Sequence, residues 1–363
     1  MTTKLKDNIN LFAAMKGYDI VRGNPMDSLS DPGVGNRIFY EGCKAGFYGF
    51  ISEVTEDLRC DSDFSAKTIS SMDEYESART SSNKFSMSAK VSAEGSAFGI
   101  SAKASAGYTR STNSDEQASE SILSAHNGEI TIAKATCLTH SVSISHFVRP
   151  VFTEDFIDGL KFLEAAASSS DTAHREAAVA SFVREFGTHY SKRTELGAEL
   201  VYERRFDSKS KSVEEKAKRA SCVKQEASAS VSVDGGLAGG SAEFEMNKDD
   251  CSSETSGSKN AVKEGFESTR TVSRGSRPID LKRWVDAAFT PVPIERTLEP
   301  ISELFRDEWL TANPDYGFDI SLSGTKIKSM FDKAITRYCQ IMLPGQLDED
   351  CKVIGKKIRM DKQ

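Results

Sequence analysis

The sequence predicts an α+β chain in which a framework of strands and helices is interrupted twice by matched stretches of small and polar residues. Three observations carry this. Residues 128–152 read as strands, with Ile130, Ile132 and Ala133 followed by Val142, Ile144, Phe147 and Val148. Residues 154–186 read as helical: Phe156, Leu160 and Leu163 share one face, and Val179, Phe182, Val183 and Phe186 recur at helical spacing. Gly187 follows at once, as at many helix C-termini, and residues 188–206 read as a long strand. On either side, residues 75–125 and 207–270 are rich in Ser, Ala, Gly and charge, with few large apolar side chains. Residues 11–60 and 278–345 have globular texture, with turn clusters at Gly23-Asn24-Pro25, Asp31-Pro32-Gly33 and Pro291-Val292-Pro293.

The chain has 363 residues, 38% hydrophobic and 28% charged, a balance that supports a sizeable core and argues against a disordered chain. Its net charge of -7 argues against nucleic acid as the main partner and against simple adsorption to anionic lipid. The basic cluster Lys352, Lys356, Lys357, Arg359 and Lys362 reads as a solvated tail. No stretch reaches the roughly 18 apolar residues of a transmembrane helix. The N-terminus lacks the charged head, apolar core and cleavage site of a signal peptide.

The two interruptions share a pattern. From Phe85 through Met87, Ala89, Val91 and Ala93, apolar residues alternate with polar ones. After Glu94-Gly95-Ser96-Ala97 the parity flips, and Phe98, Ile100, Ala102, Ala104, Ala106 and Tyr108 form the less polar set. Alternation with period two marks a strand with one apolar and one polar face. The flip is what an antiparallel hairpin requires. Pairing Ala93 with Phe98 puts Val91 opposite Ile100, Ala89 opposite Ala102 and Met87 opposite Ala104, all on one face. The second stretch repeats this. Ala227, Ala229, Val231 and Val233 alternate with polar residues, a glycine-rich turn spans 235–240, and Ala242, Phe244 and Met246 resume with flipped parity. The same register sets Cys222 opposite Cys251, so a disulfide there is expected to close the base of the hairpin.

A membrane-crossing strand needs about 9–11 residues with lipid-facing and lumen-facing side chains alternating. The first stretch meets that length; the second alternates clearly over a shorter run. Strands satisfy their backbones in hydrocarbon only within a closed barrel, so such hairpins imply many copies in a ring. Small side chains also permit a different, helical fold in storage.

Between these stretches stands Phe186-Gly187-Thr188-His189-Tyr190, followed by Leu196-Gly197-Ala198-Glu199-Leu200. This resembles the signature of the membrane attack complex/perforin family, in which an aromatic-Gly-Thr-His-aromatic run lies on the central sheet between two membrane-inserting segments. Gly17-Tyr18-Asp19, and later Trp284 with Leu298-Glu299-Pro300-Ile301, are similar to the family's opening and closing stretches. The resemblance covers residues 10–310. It implies a bent, twisted, mainly antiparallel sheet flanked by helices, with two helical clusters (75–125 and 207–270) that refold into transmembrane β-hairpins. Gly197 matches the first glycine of a pair at the sheet's bend; the second position is Ala198, a departure. The implied function is a pore-forming protein, a cytolytic toxin or defence effector, that is secreted and assembles as a ring or arc on a target membrane. The alternative is a non-lytic, surface-binding or structural member of the fold, which has no evident reason to keep two-faced alternation.

Domains are therefore expected as 1–310 for the family domain and 311–363 for a short tail stapled by Cys339 and Cys351. With no separate receptor-binding domain evident, either edge loops grip the membrane or a partner protein delivers the chain. His189 reads as structural, hydrogen-bonded within the sheet with Thr188 and Tyr190. No nucleophile motif, phosphate loop, dinucleotide fingerprint or metal-ligand spacing is present, so neither an enzyme nor a cofactor is expected.

Overall fold

The computed structural model describes residues 15–23, 31–39, 51–72, 74–75, 85–87, 114–125, 127–144, 149–233, 266–275, 291–312 and 321–342. Among these the chain order begins with β1 (Lys16–Tyr18), β2 (Val34–Arg37), β3 (Ile51–Cys60), β4 (Ser65–Ile69) and β5 (Phe85–Met87). Helix α1 (Ser114–Glu120) runs into a π-turn (Ser121–Ala125) and then β6 (Glu129–Ile144). Next come α2 (Glu154–Ala167), α3 (Thr172–Phe186), β7 (His189–Phe206) and α4 (Val213–Val233). β8 (Phe266–Arg274), β9 (Val292–Pro300) and α5 (Gly324–Met342) complete the order.

The strands form one nine-stranded sheet built around β6 and β7, which pair antiparallel from Glu129↔Phe206 to Ser143↔Arg193. β3 and β4 lie along the outer side of β6, and β8 and β9 along the far side of β7, all antiparallel. The one parallel pairing described is β5 on β9.

Helices α2 and α3 start where the sequence supplies caps: Thr153 accepts from the Phe156 amide and Asp171 from the Ala173 amide. α3 ends at Gly187, whose φ of 82° favours glycine. A side chain there would also meet the Tyr18 backbone at 2.4 Å. The apolar faces bury Phe156, Leu160, Leu163, Val179, Phe182 and Val183 in the principal core, with aromatic rings in mutual contact: Phe182 lies 5.0 Å from Phe186 and 5.8 Å from Phe331.

A short tail was the expectation beyond residue 310. There the chain instead supplies α5, whose Ile327, Phe331 and Ile335 are fully buried in that same core. Their spacing of four residues is a helical stripe, and α2 and α3 leave it a groove to fill. Cys351 lies outside the described residues, as does the side chain of Cys339.

At the level of Gly197 the sheet is irregular in three neighbouring pairings. Register shifts fall between Leu138 and His140 against β7, between Glu56 and Arg59 against β6, and between Glu195 and Leu196 against β9. Bulges aligned across four strands bend a sheet at one line. Gly197 is required there by close approach, since a Cβ would stand 2.0 Å from the Cys137 carbonyl oxygen. Ala198 is buried beside it, facing the core formed with Ala133, Ala135 and Leu200. Cys60 and Cys137, register partners on β3 and β6, form a disulfide at this line.

Candidate functional site: the strand ends and the segments between them

Both small-residue stretches leave the framework from one edge of the sheet. β4 ends at Ile69, opposite Ile130 near the start of β6. Glu129, the first residue of β6, stands opposite Phe206, the last of β7, and Phe206 stands opposite Phe266, the first of β8. Residues 70–128 thus join β4 to its neighbour β6, and residues 207–265 join β7 to its neighbour β8. Each pair is antiparallel. Continuing the ladders past this edge would turn each connection into a hairpin, side by side, with no strand changing neighbours.

The described part of the second stretch is helical. α4 lies on one face of the lower sheet, its stripe Val223, Ala227 and Val231 packed on Ala133, Ala135, Leu200 and Phe206. Ala227 and Val231 therefore serve two periodicities: every fourth residue in the helix, every second in the strand pattern with Ala229 and Val233. Ala229 is half-buried in the helix. Ion pairs fix the helix further: Arg204 with Glu226, and Lys224 with Asp63 at 2.6 Å. Ala242, Phe244 and Met246 lie outside the described residues. So does Cys251; Cys222, on α4, is disulfide-bonded to a cysteine whose side chain is not among those described.

The first stretch packs on the opposite face, where Ile122 and Leu123 join Ile69, Tyr75 and Ile130. Its start differs from the helical expectation. Phe85–Met87 is strand β5, aligned with Arg296, Thr297 and Leu298 along the outer edge of β9. An open edge offers free backbone groups to pairing, which a covering strand satisfies. Ala89, Val91, Phe98, Ile100, Ala102 and Tyr108 lie outside the described residues.

The signature run spans the junction of α3 and β7. Phe186 packs edge-on to Phe156 with ring centroids 5.2 Å apart. Thr188 Oγ1 accepts from the Ile20 amide at 2.9 Å and is hydrogen-bonded to His189 Nδ1 at 2.8 Å. His189 is fully buried, and loss of hydration pushes its pKa down to about 3, so it stays neutral. Tyr190 donates to Glu299 at 2.5 Å, and Lys192 pairs with the same carboxylate at 3.0 Å. Together these groups tie β1, β7 and β9 at the end of the sheet away from the two small-residue stretches.

Sequence reasoning did not find the Cys60–Cys137 bond, because which strands are neighbours is invisible along the chain. It also passed over Arg219, whose signal was legible: a basic residue on the same four-residue stripe as Val223, Ala227 and Val231. Among the described residues no group of His, Cys, Asp and Glu could hold a metal ion, and no helix is long and apolar enough to cross a membrane.

A mainly antiparallel sheet with paired segments flanking one end, and a signature run at the other, defines a perforin-like fold. The model of the MAC/Perforin domain matches residues 11–346, and the chain belongs to that family. Among solved structures the chain is similar to GNIP1Aa from Chromobacterium piscinae, at 13% identity and a TM-score of 0.45, covering 91% of this chain and 56% of that one. It is also similar to astrotactin-2, described as a conserved vertebrate-specific and perforin-like membrane protein involved in neuronal development, at 13% identity and a TM-score of 0.41, covering 90% and 44%. This chain thus spans about half the length of each. A search of curated proteins finds no match.

Proposed function

We propose that this protein forms pores: copies assemble on a target membrane and extend residues 70–128 and 207–265 into amphipathic β-hairpins of a shared barrel. The observation that carries this reading is the common exit edge. Each segment connects two adjacent antiparallel strands and carries alternation with a parity flip, the pattern a lipid-facing hairpin needs. Extension gains a ladder of backbone hydrogen bonds and lipid burial, which favour the second packing over the first. No catalytic step is part of this reading. Secretion, toxicity and the delivery of the chain by edge loops or by a partner protein belong to the same proposal.

Dye release from liposomes of several lipid compositions, over a protein titration, tests it. The expected outcome is leakage that rises steeply with concentration, because a ring requires many copies. A protein that binds the same liposomes without releasing dye at any concentration would instead be a non-lytic member of the fold.

A further inference from the structure

Glu129 sits at the exit edge and is 2% exposed. Its Oε1 accepts from the Ser70 hydroxyl at 2.9 Å. Its Oε2 accepts from the Ser210 hydroxyl at 2.5 Å and from Arg219 Nη1 at 2.8 Å. These partners come from different places along the chain. Ser70 is the first residue after β4 and opens the first segment, while Glu129 closes it. Ser210 follows β7 and opens the second segment, and Arg219 lies in the first half of α4. Strand alternation sets Ser70, Glu129 and Phe206 on the face that carries α4.

Arg219 is as deeply buried, also 2% exposed. Its guanidinium lies 4.7 Å from the centre of the Phe206 ring and donates to the Ser208 carbonyl at 2.7 Å. Glu215 is the other nearby carboxylate, 3.9 Å away and closer to solvent. Glu74, from the first segment, accepts from the Ser70 amide at 2.8 Å and stands 3.8 Å from Lys216 on α4. Thr68 hydrogen-bonds both Thr131 and the Lys216 carbonyl.

From this geometry we infer that Glu129 and Arg219 form a clasp that holds the second segment in its stored helical form, against the strand ends at which the first segment begins and closes. The inference rests on the pore-forming reading for its consequence, not for its geometry. In an extended hairpin Ser70 stays next to Glu129, because it continues the β4–β6 ladder. Arg219 does not: thirteen residues beyond Phe206, at ~3.3 Å per residue, it moves roughly 40 Å from the edge. The ion pair therefore exists only in the stored state. A buried pair that loses one partner leaves a charge without compensation, which makes release of α4 costly.

Native-state hydrogen exchange on the full chain in solution, with no membrane present, tests the clasp. Glu129→Gln and Arg219→Gln are each expected to speed exchange at least tenfold in the amides of α4, and to leave the first-segment amides of Tyr75 and residues 119–125 unchanged. Amides of α2, α3 and the upper part of β7 serve as the folding control and should not change. If the control amides also lose protection, Ser70→Ala is the milder probe. It removes only the Ser70 hydrogen bond to Glu129, yet is expected to loosen α4. No change in α4, or equal loosening of both segments, overturns the inference. The pore-forming reading is judged separately by dye release. A loosened α4 without leakage would leave the clasp standing, whereas leakage with α4 unaffected would remove the clasp alone.

Discussion

Gly197 shows how one absent side chain shapes the sheet. Its Cα faces the Cys137 carbonyl so closely that any Cβ would collide with backbone, which cannot swing aside. Gly197→Val is therefore expected to lower unfolding stability by at least about 2 kcal/mol, read as a reduced midpoint in urea denaturation. Two buried titratable groups make a second prediction. Asp19 accepts from the Tyr338 hydroxyl and the Val21 amide, and burial raises its pKa to about 6. Its protonated form suits the folded state, so its contribution is fully present below the unfolded value and is lost as pH rises through about 6. His189 is opposite: buried neutral, it favours folding above its ordinary pKa, and that contribution is lost as pH falls towards about 3. Between pH 6 and 4 the two slopes, each about 1.4 kcal/mol per pH unit, oppose one another. Asp19→Asn, whose amide oxygen can still accept from the Tyr338 hydroxyl, is expected to unmask the acid sensitivity of His189. Thermal midpoints from pH 6.5 to 4 should then fall more steeply than in the wild type; an identical profile would rule the balance out.

At the scale of elements, α4 carries its sequence in two codes. The buried stripe of Arg219, Val223, Ala227 and Val231 belongs to the helix, while Ala227, Ala229, Val231 and Val233 are the apolar side of a strand. Small residues let both codes coexist, because Ala fits a close helix–sheet contact and is tolerated facing lipid. For the first segment the strand code makes a direct prediction. Val91→Asp and Ile100→Asp place charge on the proposed lipid face and should abolish dye release at protein concentrations where the wild type leaks fully. Ser101→Asp, on the opposite face, should change leakage little. Equal tolerance at both faces would count against hairpins in this register. β5 adds a constraint of its own. Residues Phe85–Met87 begin the first hairpin pattern yet lie along the edge of β9, so extension of that segment uncovers the edge strand.

For the whole molecule, the two ends of the sheet are packed differently. Above the bend, α2, α3 and α5 enclose the large aromatic core, and the signature run ties β1, β7 and β9 together. Below it, smaller clusters of Ala, Val and Ile hold the segments, assisted by polar contacts. Conversion is therefore expected to spend helix only below the bend. Far-UV circular dichroism on adding liposomes should show helical signal lost to strand signal, with the contribution of α2, α3 and α5 retained. A spectrum that stays unchanged while dye escapes would exclude the conversion.

Much of this was legible along the chain, because it depends on short-range periodicity. The helices α2 and α3, the stop at Gly187 and strand β7 followed from spacing, while Gly197 was singled out only by the family resemblance. The alternation in the two segments was equally local. The tertiary structure alone decided what depends on neighbours distant in sequence. It set the four strand ends at one edge, joined Cys60 to Cys137, seated α5 in the aromatic core, and brought Ser70, Glu129, Ser210 and Arg219 to one point. The physical reason is that periodicity states which face of an element is apolar, whereas register and sheet order state what that face meets.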